Sequence, residues 1–293
     1  MLALGSAALY GAADFLGGLA SRRTNTTAIV CASQGTGMVL LALMLPFLPG
    51  ASPSGADLFW GGAAGLAGGI GVALLYRALA VGTMAVVAPT TAVCAVMIPV
   101  VTGAFFGERL APLTMIGIAL AIVAIVLMSQ QRPALAPSHP RILAPSHPRT
   151  VASSHLVPPG VGLALTSGVA IGLFFLALAR TEANAGMWPL LAARAVSVSL
   201  FGVMALVTAR PLRMAAPVAR MAVAGGALDM LANALYLLAT RYGTLSVVVT
   251  LTSLYPASTV LLARVVVGER LNSWQVAGVA CALAAIALIV SGG

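Results

Sequence analysis

Ten apolar stretches follow one another through this chain almost without interruption, at 2–20, 28–48, 58–80, 84–106 and 112–129 and again at 161–179, 187–208, 218–240, 245–267 and 273–291. Each is close to the roughly 20 residues that an α-helix needs to cross a bilayer, where no water satisfies the backbone. Barrel strands would show about ten residues of alternating character, and runs such as Ile116 to Met128 do not alternate. Only 7% of the residues are charged and mean hydropathy is +1.06, whereas about a quarter of a soluble domain is charged. Nothing outside the apolar runs is long enough to bury a core. The expected fold is all-α and integral to the membrane, with ten transmembrane helices.

The chain is also duplicated. Gly107-Glu108-Arg109-Leu110 recurs 161 positions later as Gly268-Glu269-Arg270-Leu271, and the same offset aligns Gly82-Thr83 with Gly243-Thr244 and Leu2-Ala3-Leu4 with Leu163-Ala164-Leu165. Two units follow, residues 1–130 and 160–293, separated by a polar linker at 131–159. Five spans per unit is an odd number, so the second unit is expected upside down, giving two inverted five-helix repeats. Repeats of this kind place a substrate pathway where the halves meet.

Within the linker, Leu135-Ala-Pro-Ser-His-Pro-Arg141 is repeated as Leu143-Ala-Pro-Ser-His-Pro-Arg149. Its prolines preclude a long helix and favour an extended connection. All three histidines, His139, His147 and His155, fall there at eight-residue spacing, which reads as tandem duplication rather than a metal site. The cysteines Cys31, Cys94 and Cys281 lie in separate apolar runs, without metal-type spacing, and read as small core residues. No metal or cofactor is expected.

The net charge of +9 comes from 15 arginines and no lysine. They stand singly or in pairs between apolar runs, which excludes the continuous basic face of a nucleic-acid binder. If residue 1 lies outside, the far side holds only Arg109, Arg180 and Arg241, with Arg194 in mid-span, and the other arginines lie at cytoplasmic ends. The positive-inside rule therefore places both termini outside the cytoplasm, in a multi-pass plasma membrane protein of the bacterial inner-membrane type. The first stretch lacks a basic leader and carries Asp14, so it is expected to stay in the chain rather than be cleaved as a signal peptide.

Ionisable groups inside a bilayer require a partner, a wet cavity or a task. The interior candidates are Asp14, Arg194 and Asp229, with Gln34 and Asn233 as uncharged companions. Asn233 follows Asp229 by four residues and shares its helical face. Arg194 has two readings: a bidentate contact to a substrate carboxylate, or an ion pair with Asp14 or Asp229 that allows both to be buried. Asp14 and Asp229 are read either as proton-titrating coupling sites or as structural partners.

Pro89 and Pro99 in the fourth span and Pro256 in the ninth remove backbone donors in mid-membrane and are expected to kink those helices. Tyr255, beside Pro256, is a further candidate for ligand contact, as are Tyr10, Tyr76, Tyr236 and Trp188. Gly61, Gly65 and Gly69, four residues apart on the third span, allow a neighbouring backbone to come close. Glu108-Arg109 and Glu269-Arg270 read as boundary markers, each following a glycine that ends a helix. No catalytic residue is expected.

The paired Gly-Glu-Arg-Leu motifs, each preceded by Gly-Thr and a proline-bearing helix (Pro89, Pro256) and followed by a Gly-containing span (Gly117, Gly278), resemble the EamA-type members of the drug/metabolite transporter superfamily. The resemblance covers both halves but not the linker. It implies a basket of ten helices, a central cavity lined mainly by helices one, three, four, six, eight and nine, and alternating access. It also implies a small-molecule cargo, such as a metabolite, amino acid or amphipathic drug-like compound, moved most often outward. The family has no defining catalytic residue, so Asp14 and Arg194 stand as candidates on buried polarity alone.

Proton-coupled export is the leading expectation, with an importer or a flippase for a lipid-linked substrate as the alternative and a monomer or homodimer as the assembly. A membrane-embedded transferase would gather acids or histidines at one interface. The six carboxylates here are dispersed and every histidine is in the linker. A channel would need a carbonyl filter or a charge ring, and neither is present in the sequence.

Overall fold

The computed structural model describes residues 1–48, 50–107, 111–129, 160–209, 212–268 and 273–292. Its helices are α1 (Leu2–Ser21), α2 (Thr26–Met44), α3 (Gly55–Val81), α4 (Met84–Phe105), α5 (Pro112–Ser129), α6 (Val161–Ala179), α7 (Trp188–Val207), α8 (Ala216–Ala239), α9 (Leu245–Thr252), α10 (Tyr255–Leu262) and α11 (Ser273–Gly292). Among the described residues there is no strand. Eight spans among the described residues are long and apolar enough to cross a membrane, while α5 and α11 contribute shorter apolar stretches, Pro112–Ala124 and Val276–Ala285. The linker with its histidines, and both Glu-Arg-Leu triplets, lie outside the described residues.

Local chemistry sets the helix ends. The Asn25 side chain accepts from Thr27 N at 3.2 Å and caps α2. At α3, Ser54 and Asp57 form a reciprocal capping box. Pro189, Pro217 and Pro256 open α7, α8 and α10, where a missing N–H costs nothing. Gly107 and Gly268 both take left-handed backbone, with φ of +80° and +78°, just past α4 and past the π-helical turn at Ala263–Val267. The expectation that these glycines end their helices is met on both copies.

The prolines behave unequally. α4 continues as one helix through Pro89 and Pro99, whereas the ninth span divides at Ser253–Leu254 into α9 and α10, with Pro256 in the first turn of the second piece. Of the three prolines expected to kink their helices, only Pro256 lies beside a break in the helix. A glycine lies over one of the carbonyls freed in α4: a Cβ at Gly172 of α6 would come 2.9 Å from Ala95 O, the acceptor that Pro99 leaves without its helical donor.

The two halves interleave. α1 packs on α8 and α6 on α3; α2 packs on α8 and α7 on α3; α1 meets α9 and α10 as α6 meets α4; and α5 pairs with α11. Each pairing thus has a counterpart with the halves exchanged. Two buried hydrogen bonds repeat the relation residue for residue. Ser6 Oγ donates to Ala232 O at 2.8 Å, and Ser167 Oγ, 161 positions later, donates to Gly71 O at 2.7 Å.

Small residues make these approaches. A Cβ on Gly65 would stand 2.1 Å from Ala193 O in α7, and one on Gly226, again 161 positions later, 2.3 Å from Ser33 O in α2. The Gly61, Gly65 and Gly69 face lies against Pro189, Ala193 and Ser197 of α7 in turn, as small-residue spacing allows. Large apolar side chains such as Val39, Leu43, Phe59, Leu66 and Leu283 point outward and are exposed, the distribution expected of a surface that faces lipid.

Candidate functional site

Polar side chains converge on a cavity in the centre of the bundle. Arg194 of α7 donates through Nη1 to Gln34 Oε1 of α2 and through Nη2 to Asp229 Oδ2 of α8, the latter at 2.6 Å. Ser197, one turn beyond Arg194, donates to the same Gln34 oxygen at 2.9 Å. On α8, Asn233 Nδ2 donates to Asp229 O at 2.6 Å while its Oδ1 accepts from Tyr10 OH of α1 at 2.8 Å. Four helices are joined by one chain of hydrogen bonds. Gly37 of α2 makes room for it, since a Cβ there would lie 3.3 Å from Arg194 Nε.

All six candidate site residues, Asp14, Gln34, Arg194, Asp229, Asn233 and Tyr255, line this cavity, which encloses about 610 Å³ of atom-free space including its open side. Its remaining wall is apolar or small: Gly65, Gly68 and Gly69 on α3, with Ile171, Phe174 and Phe175 on α6. Phe175 stacks at a tilt against Tyr236, centroids 4.6 Å apart, and edge-on to Tyr10 at 6.1 Å. Tyr236 is itself fixed by donating to Phe175 O at 2.9 Å.

Of the two partners open to Arg194, the geometry selects Asp229. Asp14 is left unpaired: it is 6% exposed, and no hydrogen bond or ion pair reaches its carboxylate among the described residues. Tyr255 OH is likewise buried without a hydrogen-bond partner among the described residues. Tyr255 owes its position to the broken ninth span, whose new first turn presses its backbone on α1: a Cβ at Gly11 would lie 2.4 Å from Tyr255 O.

Two expectations about the lining need correction. The fourth span contributes no residue to the cavity, whereas α2 and α7 do, through Gln34, Arg194 and Ser197. The cause is α6, whose Gly168 and Gly172 let α4 settle behind it, against Thr91 and Ala95. Pro89 and Pro99 thus lie behind the wall, and Pro256 serves the cavity only by placing Tyr255. Ser197 escaped the sequence reading because a serine inside a span is unremarkable until its partner is known.

Asp57 was also absent from the interior set, since the third span was expected to begin one residue later. In the structure it is buried within the first turn of α3, accepting from Ser54 and from Glu182 N at 2.8 Å. Nearby, Arg241 donates to Thr181 O and, at 2.9 Å, to Thr181 Oγ1. Burial pulls the Arg241 guanidinium below its ordinary range, opposed by the Asp57 charge. The Arg180 guanidinium sits 4.6 Å from the centre of the Phe106 ring, a cation–π distance. These contacts tie the loops after α2, α4, α6 and α8 at one end of the bundle. At the other end Arg22 donates to Leu79 O at 3.1 Å and to Gly82 O at 3.3 Å. Among the described residues no three His, Cys, Asp or Glu side chains gather as a metal site requires.

No curated protein matches the chain in sequence. Among solved structures, one described only as the crystal structure of a protein superposes with a TM-score of 0.66, covering 97% of this chain and 96% of its own at 19% identity. At that identity the likeness carries the fold alone. The sequence profile of the EamA-like transporter family matches residues 1–130 and again 158–291. With that match over both halves, the chain belongs to the EamA-like transporter family, and is a membrane transporter of the drug/metabolite transporter superfamily.

Proposed function

We propose that this protein is a secondary exporter of a small metabolite, amino acid or amphipathic drug-like compound, working by alternating access and coupled to protons. The observation that carries this reading is the central cavity, where an ion pair and an unpaired acid, contributed by both halves, stand inside an apolar bundle. Buried ionisable groups in a membrane mark substrate and proton pathways. The interleaved pairings supply what alternating access needs, because one half can rock on the other around a fixed site.

The topology proposed with it has ten spans, with α5 and α11 as the fifth and tenth, in two inverted repeats within domains 1–130 and 160–293. It is supported by the loop contacts, since an odd number of spans per half puts the loops after spans two, four, six and eight on one side. By the arginine distribution that side faces away from the cytoplasm of a bacterial-type inner membrane.

The test is an excretion and resistance screen against a metabolite panel in cells overproducing the chain, followed by reconstitution with the compound found. Asp14→Asn is expected to lose gradient-driven transport. Undiminished driven transport in that variant would remove Asp14 from the coupling mechanism.

A further inference from the structure

We propose that the cavity takes an organic monocation, one cationic nitrogen on an apolar body of about ring size, and that the cation is held by the Asp14 carboxylate. This rests on the transporter reading and specifies its cargo. The argument is an inventory of satisfied groups. Arg194 is engaged by Gln34 and Asp229, Ser197 by Gln34, and Asn233 through both its amide nitrogen and its oxygen. The Arg194 charge is therefore already neutralised within the wall, by Asp229. An incoming anion would have to strip Asp229 from Arg194 and then sit with two carboxylates in one poorly hydrated space.

At Asp14 the balance is the reverse. Asp14 is nine-tenths buried, lines the cavity and has no hydrogen-bonding or ion-pair partner among the described residues, and Tyr255 OH is left without one as well. A bare carboxylate in such surroundings is neutralised either by a proton or by a cation. The titratable groups that interact with it are Asp229 of α8, paired with Arg194, and the neutral phenols Tyr10 on its own helix, Tyr76 of α3 and Tyr255 of α10; α2 brings the neutral Gln34 to the cavity. None supplies a free positive charge. The rest of the wall offers Phe174, Phe175 and Ile171 to an apolar body, and aromatic faces also favour a cation.

The two occupants exclude one another. When the organic cation arrives, the Asp14 carboxylic acid gives up its proton to water and the resulting carboxylate pairs with the cation, one charge for one charge. That exchange at a single residue is what a proton antiporter requires.

The experiment uses the full chain, purified in detergent, with three probes of one shape: phenethyltrimethylammonium, its neutral tert-butyl isostere and 3-phenylpropionate. Calorimetry is expected to show the ammonium compound binding at least about tenfold more tightly than the isostere, the measure of one effective ion pair, with 3-phenylpropionate weakest and a proton released into dilute buffer on binding. Asp14→Asn should lose both the preference and the proton release, while Asp14→Glu should keep them; melting curves establish that each variant is folded. Equal or better binding of the isostere or the anion by the parent, binding of none of the three, or a preference that survives Asp14→Asn overturns the proposal. The transporter reading stands or falls separately, on the excretion screen.

Discussion

Asp14 and Asp229 are the same residue type at the same depth of burial, yet their environments make opposite demands. Asp229 neutralises Arg194, so replacing it with Asn leaves a guanidinium buried without its counter-ion, at a cost of about 3–5 kcal/mol. Asp229→Asn is expected to melt well below the parent in detergent, and the double variant Arg194→Met, Asp229→Leu to recover most of the loss. A single variant as stable as the parent would mean that the pair does not hold α7 to α8. Asp14 has no such partner, and Asp14→Asn removes an uncompensated acid. Its melting temperature should match or exceed the parent's, even though the same substitution is expected to abolish driven transport.

Between elements, backbone proximity rather than large side chains carries the packing. Gly65 against Ala193 and Gly226 against Ser33 leave no space for a methyl group, and overpacking of that kind costs about 1–3 kcal/mol. Gly65→Ala should therefore lower the melting temperature and separate α3 from α7. Gly35, also within a helix but with open space where its Cβ would go, provides the contrast: Gly35→Ala should be neutral or stabilising by up to about 1 kcal/mol. Equal effects at both positions would show that close approach is not what these glycines provide. The glycine spacing on the third span was visible in the sequence, because four-residue periodicity is a property of one helix. Which helix lies against it was not, since α7 is more than a hundred residues away.

At the scale of the molecule, the proposed inversion makes a prediction about sidedness. Arg23, after α1, and Asn184, after α6, are 161 positions apart and both exposed. With the native cysteines replaced, Arg23→Cys and Asn184→Cys should react with an impermeant maleimide from opposite faces of the membrane, Asn184→Cys from the outside of intact cells. Reaction of both from one face would eliminate the inverted arrangement. The same scale explains the cavity lining. Which helices reach the centre depends on how closely each pair packs, and Gly168 and Gly172 let α4 recede behind α6.

Whatever depends on composition, length and register could be read directly from the chain. Runs of about 20 apolar residues can satisfy their backbone in lipid only as helices, and the offset of 161 states the duplication outright. Charged and amide side chains are few in the middle of the runs, which singled out five of the six candidates, and all six line one cavity. The partnerships emerged with the packed helices: Arg194 with Asp229 and Gln34 rather than Asp14, Ser197 as the bridge, and Tyr255 set in place by a break beside Pro256 that has no counterpart at Pro89 and Pro99. The physical reason is that hydrophobicity is non-directional and places helices in a bundle, whereas pairing a buried charge depends on ångström distances between residues as remote as Gln34 and Arg194, which no local pattern encodes.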